Sequence, residues 1–411
     1  MPHGRAACGF IFVTELLDGQ SLRDALRWIG NDKLPFGGFG RFALRAQSDI
    51  GGRVASLSNV NVELDGNRAE GALTVSAEPR RLVQGTLAAD SLDITPYVSG
   101  IRLLARNERN WNQLPIRLDG FNDLSLDLRL SAASIKISTA RLGRTAVAAT
   151  MRDGNLNITV GESQAFGGVA KGTLGLANAQ GGIAVTSHMQ FADVDLDNCL
   201  GQVFGLHRVE GRGTLTVNVD GNGESVLAVT RGLNGVASLN ASSGALIGIN
   251  IEQLLRRLER RPLSGSGDFR SGRTPFDQLA INLKVNQGVV SIDDMRIAGP
   301  SVRLAVAGQA SVPTRDLDLK GVATLVSTAS SDEFQLPFVV QGPWDDPIML
   351  PDAQSLIRRS GAAAPLLGGS KSYNAGDAVR SVIDQLMATP APANSPSVAP
   401  AVAPAAPRSS Q

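Results

Sequence analysis

The sequence predicts a mainly β protein: an elongated antiparallel β-meander curled into a groove (a taco-like trough), with a few short helices. Three observations predict it. Apolar and polar residues alternate at period two in many separate runs, so each strand has one dry and one wet face. Asp-Gly, Asn-Gly and Gly-X pairs punctuate those runs and supply the positive φ that tight hairpins need. Glycine is frequent, 45 of 411 residues, while aromatics are only 4%, a composition suited to many strands and tight turns.

The elements follow in chain order. Residues 1–35 form a short N-terminal strand and helix unit. Its opening apolar stretch, Ala6 to Val13, is too short for a membrane span. Glu15 and Asp18 follow it and no small-residue cleavage site appears, so it reads as a strand rather than a signal peptide. Ser21 with Asp24 three residues on marks a helix from 21 to 29. Residues 36–206 form a first β-ladder. Val60-Asn61-Val62-Glu63-Leu64 leads through Asp65-Gly66 to Gly71-Ala72-Leu73-Thr74-Val75. Leu124, Leu126, Leu128 and Leu130 alternate without a break, and Asp153-Gly154 precedes Leu156-Asn157-Ile158-Thr159-Val160. A helix from Asp197 to Gly205, with Asp197 as its cap, carries Leu200, Val203 and Phe204.

Residues 207–351 form a second β region. Leu215, Val217 and Val219 alternate up to Asp220-Gly221, and Ile281, Leu283 and Val285 up to Asn286-Gln287-Gly288. Between them, 250–261 reads as a helix with Ile251, Leu254, Leu255 and Leu258 on one stripe. Residues 352–388 hold two late helices, 352–359 and 377–387, around a Gly/Ala/Ser linker. The Pro/Ala tail 389–411 has no periodicity and is expected to be disordered. Short strands of 6 to 8 residues, about 25 of them, would build a ribbon of order 100 Å at ~4.8 Å per strand.

Composition narrows the function. Lys+Arg total 39 against 38 Asp+Glu, so charge gives no reason to expect nucleic acid. Two cysteines, Cys8 and Cys199, make no disulfide framework or zinc set. No run of ~18 apolar residues encodes a spanning helix.

Reactive motifs fail one by one. Asp193, Asp195 and Asp197 have the spacing that opens a calcium loop, but Asn198 stands where its glycine belongs and Phe204 where its glutamate belongs. Gly221-Asn222-Gly223 lacks the third glycine of a dinucleotide loop, where Val226 stands, and reads as a hairpin turn. His3, His188 and His207 fall in no metal or triad frame, and His188 reads as an outward strand residue. The expectation is a chain that is not an enzyme, with no catalytic residues, cofactor or metal. Arg256, Arg257, Arg260 and Arg261 read either as a membrane-facing patch or as the solvated face of a packed helix with Glu252 and Glu259 interleaved.

Several segments in order resemble the AsmA family of bacterial envelope proteins. They are Pro35-Phe36-Gly37-Gly38-Phe39, Ser91 to Tyr97, Ala165-Phe166-Gly167-Gly168, Val209 to Leu215, Gly244 to Asn250, and Gly342-Pro343-Trp344-Asp345-Asp346-Pro347. The likeness spans roughly 36–351 and is firmest in the second half. It implies a periplasmic protein, inner-membrane anchored in the family, whose sheet curls into an apolar trough that moves glycerophospholipid and supports outer-membrane assembly. The family's N-terminal anchor helix has no counterpart here, and the expectation is an N-terminally truncated chain.

The candidate lipid-binding residues are Leu124, Leu126, Leu128, Leu130, Leu215, Val217, Val219, Ile281, Leu283 and Val285. Alternation serves an ordinary closed core equally well for any one of them. Expected partners are phospholipid, a membrane and outer-membrane assembly proteins, with no nucleic acid. The alternative is an interaction protein that influences outer-membrane protein assembly without carrying lipid.

Overall fold

The computed structural model describes residues 10–16, 40–76, 81–98, 110–116, 124–138, 140–261, 271–326 and 333–360. The helices expected at 21–29 and 377–387, the linker and the Pro/Ala tail lie outside the described residues.

Among the described residues, nineteen strands form one sheet. In chain order they are β1 Phe10–Leu16, β2 Phe42–Gly51, β3 Val54–Leu64, β4 Asn67–Ser76, β5 Arg81–Asp93, β6 Leu124–Ile137, β7 Ala140–Leu142, β8 Thr145–Arg152, β9 Asn155–Ala165 and β10 Gly168–Ala179. There follow β11 Gly182–Asp195, β12 Val209–Gly223, β13 Asn234–Ile247, β14 Arg273–Asn286, β15 Val289–Ala298, β16 Val302–Ser311, β17 Asp316–Leu325, β18 Phe334–Pro343 and β19 Ile348–Pro351. Five short helices interrupt them among the described residues: α1 Thr95–Val98, α2 Leu196–Phe204, α3 Val226–Arg231, α4 Ile251–Arg260 and α5 Ala353–Arg359.

Each strand pairs with its neighbour in sequence, and β7 and β8 both lie along β6 as two pieces of one broken strand. The sheet is therefore open. Among the described residues, strand β1 pairs only with β2, and β19 only with β18. The residues 10–13 that the sequence offered as a strand sit in β1.

The turns follow the local chemistry. Asp65-Gly66 and Asp153-Gly154 have positive φ at both positions and close two-residue hairpins between paired Leu64 and Asn67, and Arg152 and Asn155. This geometry matches the right-handed twist of the strands it joins. Phe166-Gly167 makes the same kind of turn with a phenylalanine at the first position. The ring of Phe166 offsets the strain by packing against Phe191, 6.3 Å between centroids.

The structure departs from the expectation in four respects. Most strands have 10 to 15 residues, longer and fewer than predicted, because they run on through β-bulges such as those between Phe191 and Val194 or Asn282 and Leu283. One pairing, β5 with β6, is parallel; the long connection between them returns the chain to the starting end of β5.

The Gly221–Gly223 segment is no hairpin turn. It ends β12, and Ser225 then caps α3, its side chain accepting from the Ala228 amide at 3.3 Å. A Cβ on Gly223 would lie 2.6 Å from Ala228, so this glycine permits close helix approach. Finally, α2 is capped by Asp195 and not Asp197: the Asp195 carboxylate accepts from the Asn198 amide at 2.8 Å.

Candidate functional site: one apolar face across the ladder

Residues directly paired across strands share a face of the sheet. Following the register strand by strand joins the predicted lining residues into rows. One row runs Leu128, Ala149, Ile158, Leu174, Ser187, Val219, Gly235 and Val285. The next runs Leu130, Val147, Val160, Gly172, Met189, Val217, Ala237 and Leu283. Leu215 pairs with Leu239, which pairs with Ile281, one row further on. Leu126 pairs with Met151 in the row before.

The three alternating triplets, at 126–130, 215–219 and 281–285, therefore lie on the same face of one continuous sheet. Leu124 opens β6 opposite Arg81 in the parallel register; its side chain lies outside the described residues.

The rows continue beyond β6. Leu128 registers with Gly85 of β5, then Leu73 of β4 and Leu57 of β3. Val285 registers with Val290, Ala310 and Leu317 of β15 to β17. The apolar face thus runs nearly the whole length of the ladder. Over the 14 strand positions from β3 to β17, at ~4.8 Å each, this is about 60 Å along the sheet.

Burial along that face is uneven. In the middle of β3 to β10, Leu57, Leu73, Leu87, Leu128, Val147, Ile158 and Leu174 are only partly buried. None of these joins a core cluster. Leu126 is likewise half-buried and outside the clusters, whereas Leu130 packs beside the small cluster of Leu92, Ala132 and Ile135. Towards the C-terminus the face is sealed. Leu215 is buried in the large core, and Val217, Ile281, Leu283 and Val285 pack against it; Val219 is half-buried beside them.

Two helices fill that core. Asn250 caps α4, accepting from the Gln253 amide at 2.9 Å, and the predicted stripe of Ile251, Leu254, Leu255 and Leu258 is fully inside. This helix touches β14, β17 and β18. Strands three positions apart are about 14 Å apart in a flat sheet, wider than a helix of ~10 Å, so the sheet curls around α4. Helix α2 adds Leu196, Cys199 and Leu200 to the same core. Burial, and then the charge of Asp195, push the Cys199 thiol up to about 11, so this cysteine is a packing group without nucleophilic character.

A clasp holds the curl. Residues 110–116, from the connection between β5 and β6, reach across to the C-terminal turns. The Trp111 indole donates to the Val312 carbonyl at 2.6 Å. The guanidinium of Arg315, 5% exposed, lies 5.0 Å from the Trp344 ring and 6.0 Å from the Trp111 ring. The Ile116 amide donates to the Glu224 carbonyl at 2.8 Å, and the Leu227 amide to that of Asn112 at 3.0 Å, which ties the segment to α3. Sequence reasoning missed this clasp: a lone Trp in a non-periodic segment carries no signal of its partners.

The polar groups of the calcium-like spacing are occupied locally. Arg212 holds both Asp193 carboxylate oxygens at 2.9 and 2.8 Å and keeps that carboxyl below its ordinary range. Asp195 caps α2, and Asp197 meets His207 Nδ1 at 3.1 Å, so the three aspartates of the calcium-like spacing diverge. His188 is exposed and lies 3.3 Å from Asn218. Among the described residues, no three His, Cys, Asp or Glu side chains converge as metal ligands. On α4, Arg256 pairs with Glu252 at 2.8 Å on the exposed side. A cleft of about 840 Å³ on β2 to β5 is lined largely by polar-face residues, among them Arg45, Asn61, Glu63, Arg68 and Glu70; it is not part of the apolar face.

The architecture defines a class: an open, elongated, mainly β protein with a continuous dry face and a helix-filled C-terminal end. Residues 104–295 match the model of the AsmA family. That match covers just under half of the chain and makes this region similar to the AsmA family, a likeness consistent with an envelope and lipid-related role. The matched span contains the Ala165–Gly168, Val209–Leu215 and Gly244–Asn250 segments, and neither the Pro35–Phe39 nor the Gly342–Pro347 segment. No curated protein and no solved structure matches the chain. No helix among the described residues is long and apolar enough to cross a membrane.

Proposed function

We propose that this chain is a non-enzymatic periplasmic protein that binds glycerophospholipid along its apolar face, and that it holds or transfers that lipid in support of outer-membrane homeostasis. One observation carries the reading: the register-continuous row Leu57, Leu73, Gly85, Leu128, Ala149, Ile158 and Leu174 on β3 to β10 is left half-exposed and joins no core cluster. A large contiguous apolar surface on a soluble fold marks a place where something apolar binds. Four rows of alternate residues, ~6.6 Å apart, make a dry stripe about 20 Å across. That stripe is wide enough for an acyl chain that fills one leaflet of a ~30 Å bilayer core. Each methylene moved onto it from water contributes about 0.8 kcal/mol, with the head group left in solvent at the rim.

The test is chemical. Protein purified from a Gram-negative host and extracted with organic solvent is expected to yield phospholipid by mass spectrometry. Leu128→Glu places a charge in the middle of the open rows without touching the sealed core. It is expected to remove most of the lipid while leaving the circular dichroism and urea midpoint near wild type. Lipid retained by a folded Leu128→Glu protein counts against the reading. A lipid-free wild-type protein that instead captures an outer-membrane assembly protein supports the interaction role without lipid carriage.

A further inference from the structure

Resting on the lipid-binding reading, we infer that the trough is blind at its C-terminal end: acyl chains occupy the face of β3 to β10, and the face of β15 to β18 is closed to them. The same rows run through both regions, so residue type does not separate them. Occupancy does. On β15 to β17 the residues that continue these rows are buried, with Val290, Ile292 and Ala310 at 8% and Leu319 at 7% exposed, and they belong to one core with α2 and α4. The protein's own leucines already hold the place that a guest's methylenes would take. Displacing Leu255, which is fully buried, would leave a void or an exposed stripe, each costing more than one acyl chain returns. On β3 to β10 no helix among the described residues lies on the corresponding rows, and Leu73, Leu128 and Leu174 stay half-exposed.

A blind end limits how the trough can work. A conduit that passes lipid end to end needs both mouths open. Here a lipid that slides towards β12 meets the side chains packed around α2 and α4. Loading and release must therefore use the long open side of the trough or its N-terminal part. The stripe from β3 to β10 covers seven strand positions, because β7 and β8 share one, or about 30 Å of sheet. That is room for a few acyl chains side by side.

The wild-type protein tests this without substitution. It is incubated with vesicles of phosphatidylethanolamine and phosphatidylglycerol containing a phosphatidylethanolamine with a diazirine in its acyl chain. After irradiation it is digested, and the lipid adducts are mapped by mass spectrometry. Adducts are expected on peptides of β3 to β10 at roughly tenfold or more over those of β15 to β18. Equal labelling of both regions overturns the blind end while leaving lipid binding intact. Labelling at neither overturns both. A second measurement opens the seal: Leu255→Ala combined with Leu258→Ala is expected to extend labelling into β14 to β18. Unchanged labelling in a variant that keeps its β-sheet dichroism would show that α4 is not the barrier.

Discussion

Asp93 closes the parallel pair of β5 and β6. Its carboxylate accepts from Lys136 Nζ at 2.8 Å and from the Thr95 amide at 3.0 Å. Its own amide donates to Asn67 at 2.5 Å. The Lys136 bond, followed by those of Thr95, lowers the carboxyl to about 2. A carboxylate depressed in the folded state stabilises that state above its unfolded pKa, about 3.9, and the contribution is lost as pH falls through about 2. The pair is half exposed, so the effect is small. The wild-type urea midpoint is expected to drop more steeply between pH 4 and 2 than that of Asp93→Asn, measured at matched ionic strength. Equal slopes would remove Asp93 from the account of this junction.

At this scale the sequence is legible where the residue's own chemistry decides. Asp65-Gly66 and Asp153-Gly154 turn because of what they are. Phe166-Gly167 turns because of what Phe166 packs on, and Asp195 outcompetes Asp197 as a cap because β11 ends one residue before α2 begins. Both depend on neighbours that local pattern does not reveal.

Among the elements, α4 shows the clearest agreement between pattern and structure. Its apolar stripe, four residues at helical spacing, is wholly buried, and Arg256 and Arg260 are exposed. The helix makes one core of strands far apart in the sheet. Truncating Leu255 to alanine removes a fully buried side chain and is expected to cost about 2–5 kcal/mol, read as a lowered urea midpoint with an unchanged slope. A loss below about 1 kcal/mol would mean that the core collapses around the gap and that α4 is a weak filler. Strand existence and facing were readable because alternation fixes which side is dry. Strand length was not, since a bulge adds a residue without breaking the apolar run. The roles of Gly221 and Gly223 were hidden as well: a glycine that admits a helix and one that makes a turn are identical in sequence.

At the scale of the whole molecule, the candidate site is a property of register. Leu128 and Val285 are 157 positions apart in sequence, yet they lie on one row because seven successive strand pairings keep step. Alternation predicted that each triplet would be inward. It could not say that the C-terminal residues would be claimed by α2 and α4 and the N-terminal ones left open, because that is decided by where helices land in three dimensions. The strand directions carry a further consequence. Load applied to the two ends of the described sheet pulls each hairpin apart rung by rung, like a zipper, at low force. The parallel β5–β6 pair is loaded in the opposite geometry. One strand is drawn down and the other up, so the rungs from Arg81–Leu124 to Asp93–Lys136 bear the tension together. Stretched in an optical trap, the molecule should give way in many small, weak steps and one strong one, and that last rip should mark the seam where two meanders are joined.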